Sequence, residues 1–214
     1  MTLRVAYFQP TIIAIDDVPA IEFSKLYNLT EDLHGHPELN DSENPLISIR
    51  GGQQIQVYPN ELGIDVGWLV KWLEQACTGY LKLVSDQSGA EELKMLKPVI
   101  VSIWTIQQGP DQYQEIHTHP LGNLSGNIYI SAPELAEGSS PSDGHIAFRL
   151  PQTKDIGKFI MNDTWKYAPT PSTMILFPSH VPHMVYPWKG SGKRTVVAFD
   201  ARLVPKEDAD NGQS

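Results

Sequence analysis

The spacing of apolar residues divides the chain into a helical first part and a sheet-forming second part. From Asp65 to Val84, apolar residues recur every three or four positions, which predicts one long amphipathic helix. The same spacing predicts a shorter helix that begins after Pro19 and ends near His34. Its apolar positions are Ile21, Phe23, Leu26, Leu29 and Leu33.

Two segments beside these helices lack helical spacing. Residues 3–15 are rich in Val, Tyr, Phe, Ile and Thr, which predicts a leading strand interrupted at Pro10. Residues 38–63 are rich in Asn, Gly, Pro and Gln, a composition typical of a loop with short extended pieces.

Beyond Pro98 the pattern becomes one of short strands. About eight runs of β-branched and aromatic residues follow one another, separated by turns of Gly, Pro and Ser. Strands in direct succession indicate a sandwich or barrel, because alternating βαβ units would need helices between them. We therefore predict a mainly β fold, a jelly roll preceded by helices. The runs are 99–107, 112–118, 124–132, 144–150, 159–167, 173–177, 181–186 and 195–201.

This order of elements predicts three parts within one structural domain. Residues 1–98 supply a strand and helices that pack on the sheet, residues 99–204 form the β core, and residues 205–214 form a flexible polar tail. A chain of 214 residues with 41% hydrophobic residues is long enough to bury one substantial core.

Charge and cysteine content argue against several classes of partner and compartment. The formal net charge of −9 makes a nucleic acid or an anionic membrane an unfavourable main partner. No stretch approaches the roughly 20 apolar residues of a membrane span, and the first residues lack a secretory signal. A single cysteine, Cys77, excludes an intramolecular disulfide and suits a reducing compartment. We therefore predict a cytoplasmic protein.

Two histidines two positions apart, His117 and His119, mark the candidate site. Alternate residues on a strand project to the same face, so both imidazoles can reach one ion at about 2.0 to 2.2 Å. His183, in a distant apolar strand, provides a third ligand, and the three residues predict a metal site. His180 competes for that role, but it lies at a predicted bend and is assigned a flanking position.

Two further residues are candidates for supporting the metal ligands. Glu115 precedes His117 by two positions and shares its predicted strand face, which makes it an outer partner of the ligands or a carboxylate ligand itself. Trp104 either lines the cavity or is an ordinary core aromatic residue. Asp200 is isolated in the sequence and receives no role.

Several spaced blocks between Val99 and Arg202 together resemble a known family. In their order and spacing they are similar to the small iron(II)- and 2-oxoglutarate-dependent oxygenases of the HxH-LSG-FPS type. The blocks are His117-x-His119-Pro120, Leu124-Ser-Gly-Asn-Ile-Tyr-Ile130, Leu176-Phe-Pro-Ser179, His183-x-Val185-x-Pro187, and Arg194 followed by Val196-x-Ala-Phe199.

The resemblance implies a double-stranded β-helix, the cupin-like form of the jelly roll, with Fe(II) in its open mouth. In the wider superfamily the metal is held by a His-x-carboxylate pair and a distant histidine, which leaves positions open for co-substrate and oxygen. By this resemblance His117 is the first ligand and His183 the distal one, while His119 occupies the carboxylate position. An imidazole there raises the charge of the site by about one unit and alters its redox properties.

The resemblance also implies a site for 2-oxoglutarate. Arg194 lies eleven positions after His183, where family members place a basic residue that binds the far carboxylate of this co-substrate. The planar guanidinium suits the task because it forms paired, charge-assisted hydrogen bonds with a carboxylate. Tyr129 is implied as a hydroxyl donor to the same carboxylate, with Thr195 or Ser125 as further donors. The alternatives are a surface ion pair for Arg194 and a core position for Tyr129.

The implied function is an oxygenase that decarboxylates 2-oxoglutarate and uses molecular oxygen to hydroxylate an unidentified small-molecule or peptide substrate. Two alternatives stay open. One is a three-His cupin-type dioxygenase that does not use 2-oxoglutarate, in which Arg194 binds a carboxylate of the substrate. The other is a non-enzymatic jelly-roll binding module. A homodimer that pairs through the helices is implied by the resemblance alone.

Overall fold

Two helices and thirteen strands form the part of the chain that the computed structural model describes, residues 11–41, 48–58, 63–149 and 164–206. The helices are α1 (Ala20–His34) and α2 (Gly67–Ser88), with short 3-10 helices at Pro37–Leu39 and Glu91–Met95. The strands are β1 (Ala14–Asp17), β2 (Ile49–Arg50), β3 (Gln53–Tyr58), β4 (Leu96–Gln108), β5 (Tyr113–His117), β6 (Leu124–Ser131), β7 (Glu134–Leu135), β8 (Ile146–Arg149), β9 (Thr164–Tyr167), β10 (Thr173–Pro178), β11 (His183–Val185), β12 (Gly190–Ser191) and β13 (Arg194–Pro205).

The long helix α2 forms where the apolar spacing predicts it. At its start, the Asp65 Oδ1 atom accepts a hydrogen bond of 2.9 Å from the backbone N–H of Gly67. At its end, Gly89 adopts a left-handed conformation with φ of 72°, which glycine tolerates without steric cost. Its buried face comprises Leu69, Leu73, Cys77, Tyr80, Leu81 and Ser85.

The shorter helix α1 is likewise confirmed. It begins directly after Pro19, whose ring fixes a φ of −58° and prepares the first turn. Only Leu26, Thr30 and Leu33 are fully buried, so α1 contributes one narrow stripe to the core. Within the described ranges, neither helix is both long enough and apolar enough to cross a membrane.

Eleven of the thirteen described strands form two antiparallel sheets that enclose the candidate site. The larger sheet has the order β1-β10-β6-β13-β4-β3, and the second has the order β2-β5-β11-β8-β9. One core lies between the helices and the larger sheet, and a second core includes side chains of β6, β8, β10 and β11. On β6, Ile128 and Ile130 belong to the first core while Tyr129 belongs to the second. This architecture is the predicted double-stranded β-helix.

The described part of the segment from residue 38 to 63 contains short extended pieces, as its composition predicts. Strand β3 has six residues and pairs with β4 at the edge of the larger sheet. Ile55 and Val57 are buried and alternate with the partly buried Gln54 and Gln56, a period-two signal. This signal is short and is masked by the polar residues around it, so the sequence alone did not give the bounds of the strand.

The terminal and loop predictions are covered only in part by the described residues. Most of the predicted leading strand lies outside them, and the first described strand is β1, later in the chain than expected. Strand β9 corresponds to the end of the predicted strand 159–167, and the tail from residue 207 onward also lies outside. The short pair β7 and β12 was not predicted, because two-residue strands carry no recognisable alternation.

His34, the last residue of α1, connects this helix to the larger sheet. Its Nε2 atom lies 2.9 Å from the Thr105 hydroxyl of β4, and its Nδ1 atom lies 3.2 Å from the Gln53 side chain of β3. Burial lowers the pKa of His34 from 6.5 to about 4. The ring is therefore neutral in the folded protein at pH 7.

Replacing His34 with Gln should make the stability of the protein less sensitive to acid. The unfolded chain takes up a proton on His34 near pH 6.5, whereas the folded chain does so only near pH 4. Wild-type stability therefore falls as the pH drops through this window. Urea titrations at about pH 7, 5.5 and 4.5 should show a shallower fall for His34→Gln, while His36→Gln, at an exposed position, follows the wild type. Equal slopes for all three proteins would contradict this assignment.

Candidate metal centre

Two histidines on adjacent strands and a third in the loop after β5 converge at the end of the second sheet. His117 ends β5 and His183 begins β11, and the two residues are direct partners in the antiparallel register. The ring centroids of His117 lie 4.3 Å from His183 and 5.2 Å from His119, and those of His119 and His183 lie 5.0 Å apart. One nitrogen from each ring lies within 4.8 Å of the others, so the cluster has a common focus.

The hydrogen bonds at the back of each ring determine which nitrogen faces that focus. His117 Nδ1 lies 2.7 Å from the backbone oxygen of Glu115, and His183 Nδ1 lies 3.0 Å from that of Val181. His119 Nδ1 lies 2.6 Å from Oδ1 of Asp200. Because a carbonyl oxygen only accepts, Nδ1 carries the proton in His117 and His183. With Asp200 as a carboxylate the same holds for His119, and each Nε2 keeps a lone pair.

Burial keeps the rings of His117 and His183 in the neutral form that binds metals. It lowers the pKa of His117 from 6.5 to about 4. It lowers the pKa of His183, which is only 4% exposed, well below the ordinary value, and the neighbouring histidines act in the same direction. A proton therefore does not compete with a cation for these two rings at neutral pH.

Asp200 of β13 is a site residue that sequence reasoning missed. Its Oδ1 atom accepts hydrogen bonds from His119 Nδ1 and from the Ser125 hydroxyl, both at 2.6 Å. Ser125 in turn lies 2.8 Å from the hydroxyl of Ser179. The signal was available, because Asp200 shares with Arg194 the alternate positions of β13 that face inward. Considered alone, the residue looked isolated.

The histidine rings line a cavity between the sheets together with apolar and polar side chains. Trp104 is part of this lining, with its ring 5.5 Å from that of His119, so the cavity-lining alternative describes its position. Phe177 packs edge-on against His183 at 4.8 Å. The polar lining beyond the histidines consists of Gln108, Gln114, Asn127, Tyr129 and Arg194.

Arg194 is a buried cation in this cavity, and the surface ion pair does not form. It is 2% exposed, and its guanidinium donates to the backbone oxygens of Gly144 at 3.0 Å and Tyr186 at 3.4 Å. It also donates to the side-chain oxygen of Gln108 and lies 5.1 Å from the ring centroid of Trp188. Burial lowers its pKa to about 10, so it remains charged at pH 7. All of these partners, drawn from the described residues, are neutral.

Gln108 and Tyr129 complete the surroundings of Arg194. Gln108 is the strand partner of Arg194 and donates a 2.8 Å hydrogen bond to the backbone oxygen of Tyr113, which fixes its amide. Sequence reasoning missed Gln108, because its strand pairing with Arg194 is not visible before the fold is known. Tyr129 is 2% exposed and interacts electrostatically with Arg194, and burial raises the pKa of its hydroxyl.

Four predicted candidates do not face the cavity. Thr195 lies on the opposite face of β13, where it accepts a hydrogen bond from Gln107, because neighbouring residues on a strand point in opposite directions. Ser125 is directed at Asp200 instead of a co-substrate. The Glu115 carboxylate forms an exposed bidentate pair with Arg50, at 3.0 and 2.6 Å, and Glu115 contacts His117 through its backbone oxygen alone. His180 is exposed in the turn before β11.

These features define a double-stranded β-helix protein with a histidine cluster in its cavity. Residues 102–200 match the model of the family described as "Putative 2OG-Fe(II) oxygenase". The protein is therefore an oxidoreductase of the oxygenase class, as the motif resemblance implied. Fe(II) and 2-oxoglutarate, the cofactors in the family's description, agree with the predicted ones. No curated protein matches the sequence.

Solved structures with the same fold align with most of the chain. A prolyl-4-hydroxylase of Pseudomonas putida is 18% identical, with a TM-score of 0.57 over 90% of this chain and 94% of that one. A Trichoplax adhaerens prolyl hydroxylase in complex with a hypoxia inducible factor peptide is 13% identical, with a TM-score of 0.58 over 94% and 87%. HygX of Streptomyces hygroscopicus, with nickel and 2-oxoglutarate bound, is 12% identical, with a TM-score of 0.53 over 92% and 84%. These similarities establish a shared fold.

Replacing His117 with Gln should weaken divalent metal binding, because it removes one of the three converging nitrogens. Titration of the purified apoprotein with Co(II), followed by visible absorption, should show an affinity lower by about tenfold or more. His36→Gln, which changes an exposed histidine outside the cluster, should bind like the wild type. Equal affinities for His117→Gln and the wild type would mean that the rings do not share an ion.

Proposed function

We propose that this protein is an iron(II)- and 2-oxoglutarate-dependent oxygenase that hydroxylates its substrate, with His117, His119 and His183 as the metal ligands. The donor set fits the ion, since neutral imidazole nitrogens suit divalent first-row metals such as Fe(II). Each ring has its Nδ1 atom engaged behind it, which leaves Nε2 for the metal. Three protein ligands leave coordination positions for small molecules.

The observation that carries the proposal is the buried positive charge of Arg194 in the same cavity. A buried guanidinium that has only neutral partners lacks most of its solvation, and this is costly for the folded protein. A carboxylate that entered the cavity would offset this cost with charge-assisted hydrogen bonds. We assign to Arg194 the far carboxylate of 2-oxoglutarate, with the nearby Tyr129 hydroxyl as a second donor.

The reaction follows from the cofactors that the family uses. When bound, iron(II) and 2-oxoglutarate would activate molecular oxygen, which is the oxidant: 2-oxoglutarate, oxygen and a substrate C–H bond give succinate, carbon dioxide and a C–OH group. The chain contributes orientation and exclusion of water. Arg194 and Tyr129 hold the keto acid at one end, and the rings of Trp104 and Phe177 provide apolar walls beside the histidines.

A second candidate is a three-His dioxygenase that does not use 2-oxoglutarate. It is favoured by one observation, the absence of a carboxylate among the three clustered ligands in the described part of the chain. In this case Arg194 would bind a carboxylate of the substrate itself. The two candidates therefore share the metal and differ in which molecule Arg194 holds.

The substrate and location belong to the same proposal. We propose a small molecule or a peptide as substrate, and the peptide bound to the structural neighbour from Trichoplax adhaerens supports the second of these. A cytoplasmic location is supported by the lone Cys77, a free thiol buried on α2 whose pKa burial raises to about 12. Such a thiol is protonated and inert in a reducing compartment.

Anaerobic titration of the Fe(II)-loaded protein with 2-oxoglutarate tests the role of Arg194. The wild type should develop the weak visible charge-transfer band of a chelated keto acid. Arg194→Ala should need about thirtyfold more 2-oxoglutarate or lose the band, because a buried charge pair contributes 2 kcal/mol or more. Arg202→Ala, on the same strand with its exposed side chain bonded to the Leu121 carbonyl, is the matched control.

The outcomes separate the candidates. A band in the wild type and Arg202→Ala, with its loss in Arg194→Ala, supports the 2-oxoglutarate-dependent oxygenase. Metal binding without a band at any concentration of 2-oxoglutarate refutes that function and leaves the three-His dioxygenase. Failure of the folded wild-type protein to bind any transition metal refutes both candidates.

A further inference from the structure

The three proposed ligands are all neutral, yet a carboxylate lies directly behind one of them. Asp200 Oδ1 is 2.6 Å from Nδ1 of His119, the ring at the position where the resemblance to the wider superfamily implies a carboxylate ligand. The equivalent hydrogen bonds of His117 and His183 end on uncharged backbone oxygens of Glu115 and Val181. The negative charge is therefore next to the ring that replaces the charged ligand.

We propose that Asp200 is a positioning residue of the metal centre, which holds the His119 ring with Nε2 toward the ion. Its carboxylate, one hydrogen bond behind that ring, supplies the negative charge that a carboxylate ligand would bring. The inference rests on the proposed function, because it needs a metal on His119. A carboxylate that accepts the Nδ1 proton raises the electron density at Nε2 and makes the imidazole a stronger ligand.

The burial of Asp200 directs its charge toward His119. Asp200 is 7% exposed, so water screens its carboxylate weakly. Its partners in the described part of the chain are the ring of His119 and the hydroxyl of Ser125, with no lysine or arginine among them. The charge is thus not neutralised by a cationic side chain and acts on the histidine.

The backbone of the loop that carries His119 is hydrogen-bonded to the same group of residues. The His119 N–H donates to the Ser179 carbonyl at 2.9 Å, and the Ser179 hydroxyl lies 2.8 Å from that of Ser125. Gly122 allows this close approach, because a Cβ atom there would lie 2.7 Å from the Ser179 hydroxyl and 3.2 Å from Cβ of Asp200. The ring of His119 is held from two sides, and Asp200 supplies the only charge in this arrangement among the described residues.

The substitution Asp200→Asn removes the negative charge of this side chain and keeps its shape, so it tests the effect of the charge alone. Asn has nearly the same volume and keeps a side-chain oxygen that can accept the His119 proton. The two measurements are the Co(II) dissociation constant and the Fe(III)/Fe(II) midpoint potential, neither of which depends on turnover. We expect Co(II) affinity to fall about 10- to 100-fold and the midpoint potential to rise, because the oxidised ion loses a nearby negative charge.

Two variants control for net charge and for packing. Asp86→Asn removes the same charge from an exposed position on α2 and should leave both quantities at wild-type values. Asp200→Glu keeps the charge but alters the packing, so its midpoint potential should stay closer to the wild type than that of Asp200→Asn. Far-ultraviolet circular dichroism and thermal unfolding show whether each variant is folded.

The results bear on the inference and on the proposed function separately. If the wild type binds Co(II) and folded Asp200→Asn has the same affinity and potential, Asp200 is not a positioning residue, and the proposed function stands. The inference also fails if Asp200→Glu changes the potential as much as Asp200→Asn does. If the wild type binds no metal, the proposed function fails and the inference fails with it.

Discussion

The metal site depends on three hydrogen bonds, each of which engages the Nδ1 atom of one histidine and leaves its Nε2 atom facing the cavity. Glu115, Val181 and Asp200 accept from Nδ1 of His117, His183 and His119, so the three Nε2 atoms remain for a shared ion. Two of these acceptors are backbone oxygens two residues before the histidine, so they are positioned by the local path of the chain. The third is a side chain from the opposite sheet, and it connects the two sheets at the site.

Each of the two sheets carries different residues of the site. The second sheet carries His117 and His183 on neighbouring strands, so their relative position follows from one antiparallel register. The larger sheet carries Arg194 and Asp200 on the inward face of β13. Arg194 lines the cavity, whereas Asp200 lies behind His119 and is hydrogen-bonded to that ring. The positive charge suits a ligand whose carboxylate points toward Arg194 and whose other end approaches the histidines.

Local patterns predicted the elements and the three histidines, but not the contacts that depend on strand pairing. The helical spacing of Leu69, Leu73 and Cys77 was visible in the sequence because it is local. The partnership of Gln108 with Arg194 needs the register of β4 with β13, which no local signal encodes. The errors on Thr195 and Ser125 have the same origin, since closeness in sequence to a site residue does not determine which face of a strand a side chain occupies.

The alternation along β13 makes this strand sensitive to a kind of change other than substitution. Arg194, Val196, Ala198 and Asp200 face inward because they are separated by even numbers of residues, and the pairing with β4 shifts only after Asp200. A one-residue insertion or deletion between Arg194 and Asp200 would turn one of the two charged groups toward the helices. The function of this interval therefore depends on its length as well as on the identity of its side chains.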